Sequence, residues 1–158
     1  MKDWQNYFLD IAESIAKQNK SCLRRQYGCV LVRTDKSIIS TGYNGAPAGM
    51  KSCGERGRCW RTDNGVASGT QIEKCFAVHA EQNALMFAAK HGSAVKNSLC
   101  YVTANPCPVC LRLLIQAGVK AVYYRTNYPI DWEPYNEFSN HIFMQQVTSS
   151  NSNDGVDE

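Results

Sequence analysis

Two short elements constrain this chain more than any other feature: His79-Ala80-Glu81, and Pro106-Cys107-Pro108-Val109-Cys110. Each opens a stretch with helical patterning. The first is Ala- and Leu-rich to about Lys90 and stops at His91-Gly92; the second runs from Cys107 to Ala117 and is closed by Gly118. Cys107 and Cys110 stand three apart at a helix start, so both sulfurs can point the same way. The unpaired N–H groups at such an end favour thiolates, the form that binds a metal. If His79 joins them, two helix N-termini must converge on one ion. A fold that holds them apart would leave the pattern without a use.

The rest of the chain reads as an alternation of helices and strands. Trp4, Phe8, Ile11, Ala12 and Ile15 recur at helical spacing, which predicts a helix over residues 3–19 with one buried face. Two β-rich runs follow, Tyr27 to Arg33 and Ser37 to Tyr43, and Asp35-Lys36 suits a tight hairpin between them. Leu99 to Ala104 and Val119 to Arg125 read as further strands, and a last helix is expected from about Pro134 to Val147. This order favours an α/β layer structure. Residues 44–74 differ: they are rich in Gly, Lys, Arg and Cys and carry no sustained period. A loop of that length in a compact domain is either functional or held by something other than a core. With 158 residues the chain suits one domain, assigned to residues 1–147. The tail 148–158 is polar, poor in apolar residues and expected to be disordered.

Composition narrows the setting. A hydrophobic fraction of 44% and a charged fraction of 20% describe an ordinary soluble protein. The net charge of +3 is too mild for wrapping nucleic acid, though a few converging cations would suit a small phosphorylated substrate. No apolar run is long enough to cross a bilayer. The N-terminal residues enter an amphipathic pattern rather than a secretion signal, so a reducing, cytoplasmic location is expected. There the eight cysteines are better explained by metal ligation than by disulfides.

Zinc catalysis uses three protein ligands and one open position for water, and His79, Cys107 and Cys110 supply three ligands. Glu81 should not lie directly beside His79 on a regular helix, which gives it a different role. A carboxylate next to the activated water can take its proton and deliver it to a pyrimidine ring and its leaving amine. A single histidine at a helix start is ordinarily a surface or core residue, and a lone C-x-x-C is often redox-active or structural. Together and in this order they have the H-x-E…P-C-x-x-C form known from zinc deaminases, so the assignment is recognition as much as derivation.

With those residues in view, the chain resembles the deoxycytidylate deaminase family. The likeness also runs through Ser21-Cys22-Leu23-Arg24-Arg25, Gly42-Tyr43-Asn44-Gly45-Ala46-Pro47, Gln82-Asn83-Ala84 and Gln116-Ala117-Gly118-Val119. It implies a three-layer αβα, cytidine deaminase-like fold with a mixed sheet of about five strands. It implies a hydrolase acting on the C–N bond of a cyclic amidine, which converts dCMP to dUMP and ammonia for thymidylate synthesis. It further implies a homo-oligomer, often a hexamer, with dCTP as activator, dTTP as inhibitor and Mg2+ accompanying the nucleotide. Asn44, by spacing only a turn residue, becomes a sugar contact through the resemblance. Tyr128 is placed near the sugar–phosphate, with a half-buried aromatic as the plainer reading. Arg24 and Arg25 are candidate phosphate partners, and equally a solvated face or a subunit contact.

Four further cysteines, Cys22, Cys53, Cys59 and Cys75, bracket the irregular region. Their spacing matches no standard zinc finger, but a four-thiolate structural zinc would order a loop short of apolar residues. Some family members carry a second zinc near these positions. Cys29 and Cys100 sit in expected buried strands and are read as core. Two other readings compete: a deaminase of another cytosine nucleotide or nucleoside or of a tRNA base, and a non-catalytic zinc-binding subunit on the same scaffold. Glu81 speaks against the latter, because a structural site has no use for a proton shuttle. The stretch Asp131-Trp132-Glu133-Pro134-Tyr135-Asn136 is not followed by the family's Ala-Gly-Ile strand pattern, which leaves a fifth strand without a sequence assignment.

Overall fold

A computed structural model describes residues 2–130 and 132–149. Helix α1, Trp4–Gln18, begins at Asp3, whose carboxylate accepts the Asn6 N–H at 3.1 Å. Strands β1, Gly28–Val32, and β2, Ile38–Tyr43, form the expected hairpin. Asp35 accepts the Ser37 N–H within its turn, and Lys36 takes a positive φ of 76°. The irregular region holds two single-turn helices, α2 at Cys53–Arg56 and α3 at Trp60–Asp63. Then come α4 (Ala80–Lys90), β3 (Leu99–Ala104), α5 (Pro108–Gln116), β4 (Ala121–Thr126), α6 (Glu133–His141) and β5 (Phe143–Gln146).

The strands form one mixed sheet in the order β2-β1-β3-β4-β5. β1 is antiparallel to both β2 and β3, while β3, β4 and β5 are parallel. Every residue of β1 is buried because helices cover both faces of the sheet. Strand alternation divides the core accordingly. Val30, Val32 and Tyr101 face Phe8, Leu9 and Ala12 of α1. Cys29, Leu31, Cys100, Val102 and Val122 face the opposite way, onto Ala84 of α4, Leu111 and Leu114 of α5 and Tyr135 of α6. The three-layer α/β expectation holds. Cys29 and Cys100 are fully buried, their sulfurs 3.6 Å apart, as core residues should be.

The C-terminal part differs from the sequence expectation. The last helix stops at His141, Ile142 is extended (φ −127°, ψ 145°), and Phe143–Gln146 adds a fifth strand parallel to β4. The open edge of β4 offers backbone hydrogen bonds to any extended segment, so pairing here does not depend on side-chain pattern. The expected polar tail falls largely on residues outside those described.

Two glycines set how close the helices come. A Cβ on Gly28 would lie 2.0 Å from the Ala12 carbonyl oxygen of α1. A Cβ on Gly42 would lie 2.3 Å from the Ala80 carbonyl oxygen and 2.6 Å from the Ala84 nitrogen of α4. Gly42 therefore lets the first turn of α4 lie directly on β2.

Candidate metal centre and active-site cavity

His79 is the N-cap of α4 and Cys107 the N-cap of α5. The His79 N–H is satisfied by the Gln82 side chain at 2.9 Å. Pro108 occupies the first turn of α5, where its missing N–H costs nothing. Cys107 follows the carboxyl end of β3, the end of a parallel strand where open α/β sheets place their ligands. The two helix starts meet: His79 Nδ1 lies 3.5 Å from the Cys107 sulfur and 3.4 Å from the Cys110 sulfur. All three ligand atoms lie within 4.8 Å of one another.

This arrangement fits a tetrahedral zinc ion. Bonds of about 2.3 Å to sulfur and about 2.0–2.1 Å to nitrogen put those two atoms about 3.6 Å apart. The electrostatics agree. The Cys107 thiol is lowered to about 4, first by a hydrogen bond from Cys110 and then by His79. Cys110 is correspondingly pushed up by the proton it shares with Cys107. His79 is raised, chiefly through its hydrogen bond to Cys107. The three ligand atoms thus perturb one another's ionisation, as groups gathered closely enough to share one cation do.

His79, Cys107 and Glu81 line a cavity of about 730 Å³, within the range of small-molecule sites. Glu81 is 7% exposed. Its carboxyl pKa is raised, first by burial and then by the charge of Cys107. That shift moves a carboxyl towards the range where it can both take and give a proton.

The other expected site residues border the same cavity. Asn44 is buried and already engaged: its Oδ1 accepts from the Tyr27 N–H at 2.8 Å and from Asn19 at 2.6 Å, and its Nδ2 donates to the Arg25 carbonyl at 2.9 Å. One amide hydrogen remains beyond these bonds. Arg24 donates to the Val66 carbonyl at 3.1 Å, and its other terminal nitrogen is buried without a partner. The Arg25 guanidinium lies over the Tyr128 ring, 5.1 Å from its centroid, and this pair also borders a second, smaller cavity of about 390 Å³.

Cys22, Cys53, Cys59 and Cys75 line the large cavity too. The Cys53 thiol is raised by burial and then by the charges of Cys59, Cys22 and Cys75. Cys59 is lowered: burial opposes its ionisation, but hydrogen bonds from Thr62 and the Arg61 backbone outweigh it. The four are neighbours but not a tight set. Among the described residues, His79, Cys107 and Cys110 alone bring three ligand atoms within 4.8 Å.

Three residues contribute in ways the sequence did not assign; Tyr135, with Trp132, reads there only as a core or interface aromatic. Asn19 closes α1 and anchors Asn44. The Asn105 side chain accepts the Tyr128 N–H and donates to the Tyr128 carbonyl at 2.9 Å, tying the end of β3 to the segment after β4. Tyr135 of α6 donates its hydroxyl to the Pro106 carbonyl at 2.6 Å. Asn105-Pro106 after a strand is a turn signal; nothing local marks Asn19 or Tyr135.

Comparison with known proteins agrees with this site. The family described as the cytidine and deoxycytidylate deaminase zinc-binding region matches residues 2–126. The deoxycytidylate deaminase of Schizosaccharomyces pombe is 38% identical over 128 residues, which are 81% of this chain but 38% of that protein. This chain therefore spans less than half the length of that relative. The deoxycytidylate deaminase of Mycobacterium phage D29 is 38% identical over 127 residues, 77% of this chain and 94% of that protein. Among solved structures, the dCMP deaminase from the cyanophage S-TIM5 in complex with dCMP and dUMP superposes with a TM-score of 0.73. It is 29% identical, with 93% of this chain and 99% of that one covered. On the match across residues 2–126, the chain belongs to the cytidine and deoxycytidylate deaminase family.

Proposed function

We propose that this protein is a zinc-dependent dCMP deaminase, which hydrolyses dCMP to dUMP and ammonia. The observation that carries the reading is the meeting of His79, Cys107 and Cys110 at a cavity that His79, Cys107 and the buried Glu81 line. Zinc held by those three side chains supplies a Lewis acid that brings the ionisation of water towards neutral pH. Glu81 takes a proton from the attacking water and delivers it to the ring nitrogen, then takes the remaining proton from the hydroxyl now on the ring carbon and delivers it to the departing amine. The oxygen of water ends on the ring carbon and the amine leaves as ammonia. Asn44 presents its remaining amide hydrogen to the sugar. Arg24 and Arg25, with Tyr128, receive the phosphate; the unpartnered Arg24 nitrogen supports that role. Similarity to the phage D29 deoxycytidylate deaminase and to the cyanophage dCMP deaminase in complex with dCMP and dUMP supports the choice of substrate.

The decisive variant is Glu81→Gln, which keeps the shape and removes the proton carrier. It is expected to retain zinc and fold while dCMP turnover drops by about 10²–10⁴-fold, the usual weight of general acid–base catalysis. Near-normal turnover in that variant would refute the role.

Family membership also supports a homo-oligomer, which sedimentation as a monomer would refute, and regulation by dCTP and dTTP with Mg2+, which a flat response to both nucleotides would remove. The eight free thiols suit a cytoplasmic enzyme. No described helix is long and apolar enough to cross a membrane. A second, structural zinc on Cys22, Cys53, Cys59 and Cys75 is supported by their all lining the large cavity, by the influence of the other three on the Cys53 thiol and by the lowered thiol of Cys59.

A further inference from the structure

The turn carrying Cys107 is held from a part of the chain that the family match does not reach. The match ends at residue 126, whereas Tyr135 sits in α6, beyond it. Pro106 is fully buried, and its carbonyl oxygen needs a partner that water cannot supply. The Tyr135 hydroxyl provides one at 2.6 Å. The preceding residue is fixed as well. The Asn105 N–H donates to the Thr126 carbonyl at 3.1 Å, and its side chain brackets the Tyr128 backbone. The one peptide between this clamp and the metal-facing sulfur is Pro106–Cys107.

We propose that Tyr135 is a positioning residue of the metal centre: its hydroxyl fixes the Pro106 carbonyl and so the direction in which Cys107 offers its sulfur to the ion. Rotation of the Pro106–Cys107 peptide would swing the N-cap of α5 and, with it, one of three ligands. Tyr135 reaches neither substrate nor metal in this account; it acts through Cys107. The inference rests on the zinc reading of His79, Cys107 and Cys110.

The test compares full-length wild type with Y135F and with F138L. Y135F keeps the buried ring and removes the hydroxyl. Phe138 packs on the same core from α6, so F138L loosens the helix without touching the hydrogen bond. Each protein is stripped of metal and titrated with Co2+, and the thiolate-to-cobalt absorption is recorded; zinc affinity is measured against a chelator. Y135F is expected to shift the cobalt spectrum and weaken zinc binding by about 10–100-fold, the range for groups that orient a ligand from behind. Its kcat for dCMP should fall with little change in KM, while F138L keeps the wild-type spectrum and affinity. A wild-type spectrum and affinity in Y135F would overturn the assignment. So would equal changes in F138L at a matched loss of thermal stability, or a Y135F chain that no longer folds, since either makes Tyr135 a plain tether. Wild type that takes up no cobalt removes the zinc reading itself, and the clamp with it, which sets that failure apart from the others.

Discussion

Asn44, the proposed sugar contact, is also part of the frame. Its carboxamide satisfies the Tyr27 N–H, the Arg25 carbonyl and the Asn19 side chain, so it joins the end of α1, the approach to β1 and the end of β2. Asn44→Ala removes all of these at once in a buried place. Each orphaned buried group costs about 1–3 kcal/mol, so the folded state should lose at least that much in urea unfolding. A raised KM for dCMP should accompany the loss. A raised KM with unchanged stability would mean that the bonds to Asn19 and Tyr27 carry no weight. The same residue illustrates what sequence can reveal. His79, Glu81, Cys107 and Cys110 were legible because their chemistry is local: each stands at a helix start, at a spacing that has meaning by itself. Asn44 could be named through resemblance, but not its partners. Asn19 and Tyr135 act through contacts made only when distant segments meet, and neither carries a local mark.

Among the elements, the placing of α4 depends on an atom that is missing. Gly42 lets the Ala80 carbonyl rest where a Cβ would be, and that first turn carries both His79 and Glu81. Gly42→Ala must push backbone against backbone, with a cost of about 1–3 kcal/mol or more. Because the displaced turn belongs to the metal site, zinc affinity should fall along with stability. Gly28→Ala provides the matching control: its Cβ would meet the Ala12 carbonyl of α1, on the opposite face of the sheet. That variant should lose stability yet keep the zinc affinity of its folded molecules. If both variants bind zinc alike, α4 is not positioned by its contact with β2. Element types were legible where a buried face imposed a period, as in α1 and α4. They were not legible at β5, where the Phe143–Gln146 segment is fixed by the edge of β4 rather than by its own alternation.

For the molecule as a whole, the contrast is between a sheet that orders itself and a loop that does not. The sheet is covered on both faces, and Arg125 reinforces it from β4. Its side chain, 7% exposed, pairs with Asp10 and Glu13 of α1 and donates to the Val147 carbonyl after β5. The segment between 46 and 78 has no comparable support: Cys59 and Val66 are its buried apolar residues. Its short helices are too brief to persist unaided. Local polar bonds help, such as the capping box between Ser52 and Glu55, but they are exposed to competition from water. Four thiolates on one cation would do what the core cannot, and metal removal should therefore act unevenly. The intact protein is expected to contain two zinc ions per chain. After exhaustive chelation it should keep most of its far-ultraviolet dichroism, because the sheet and long helices do not depend on metal. Trypsin should then cut rapidly after Lys51, Arg56 or Arg58, all exposed in this segment, and added zinc should restore protection. One zinc per chain, with cleavage unchanged by chelation, would leave the loop held by its hydrogen bonds and remove the second metal.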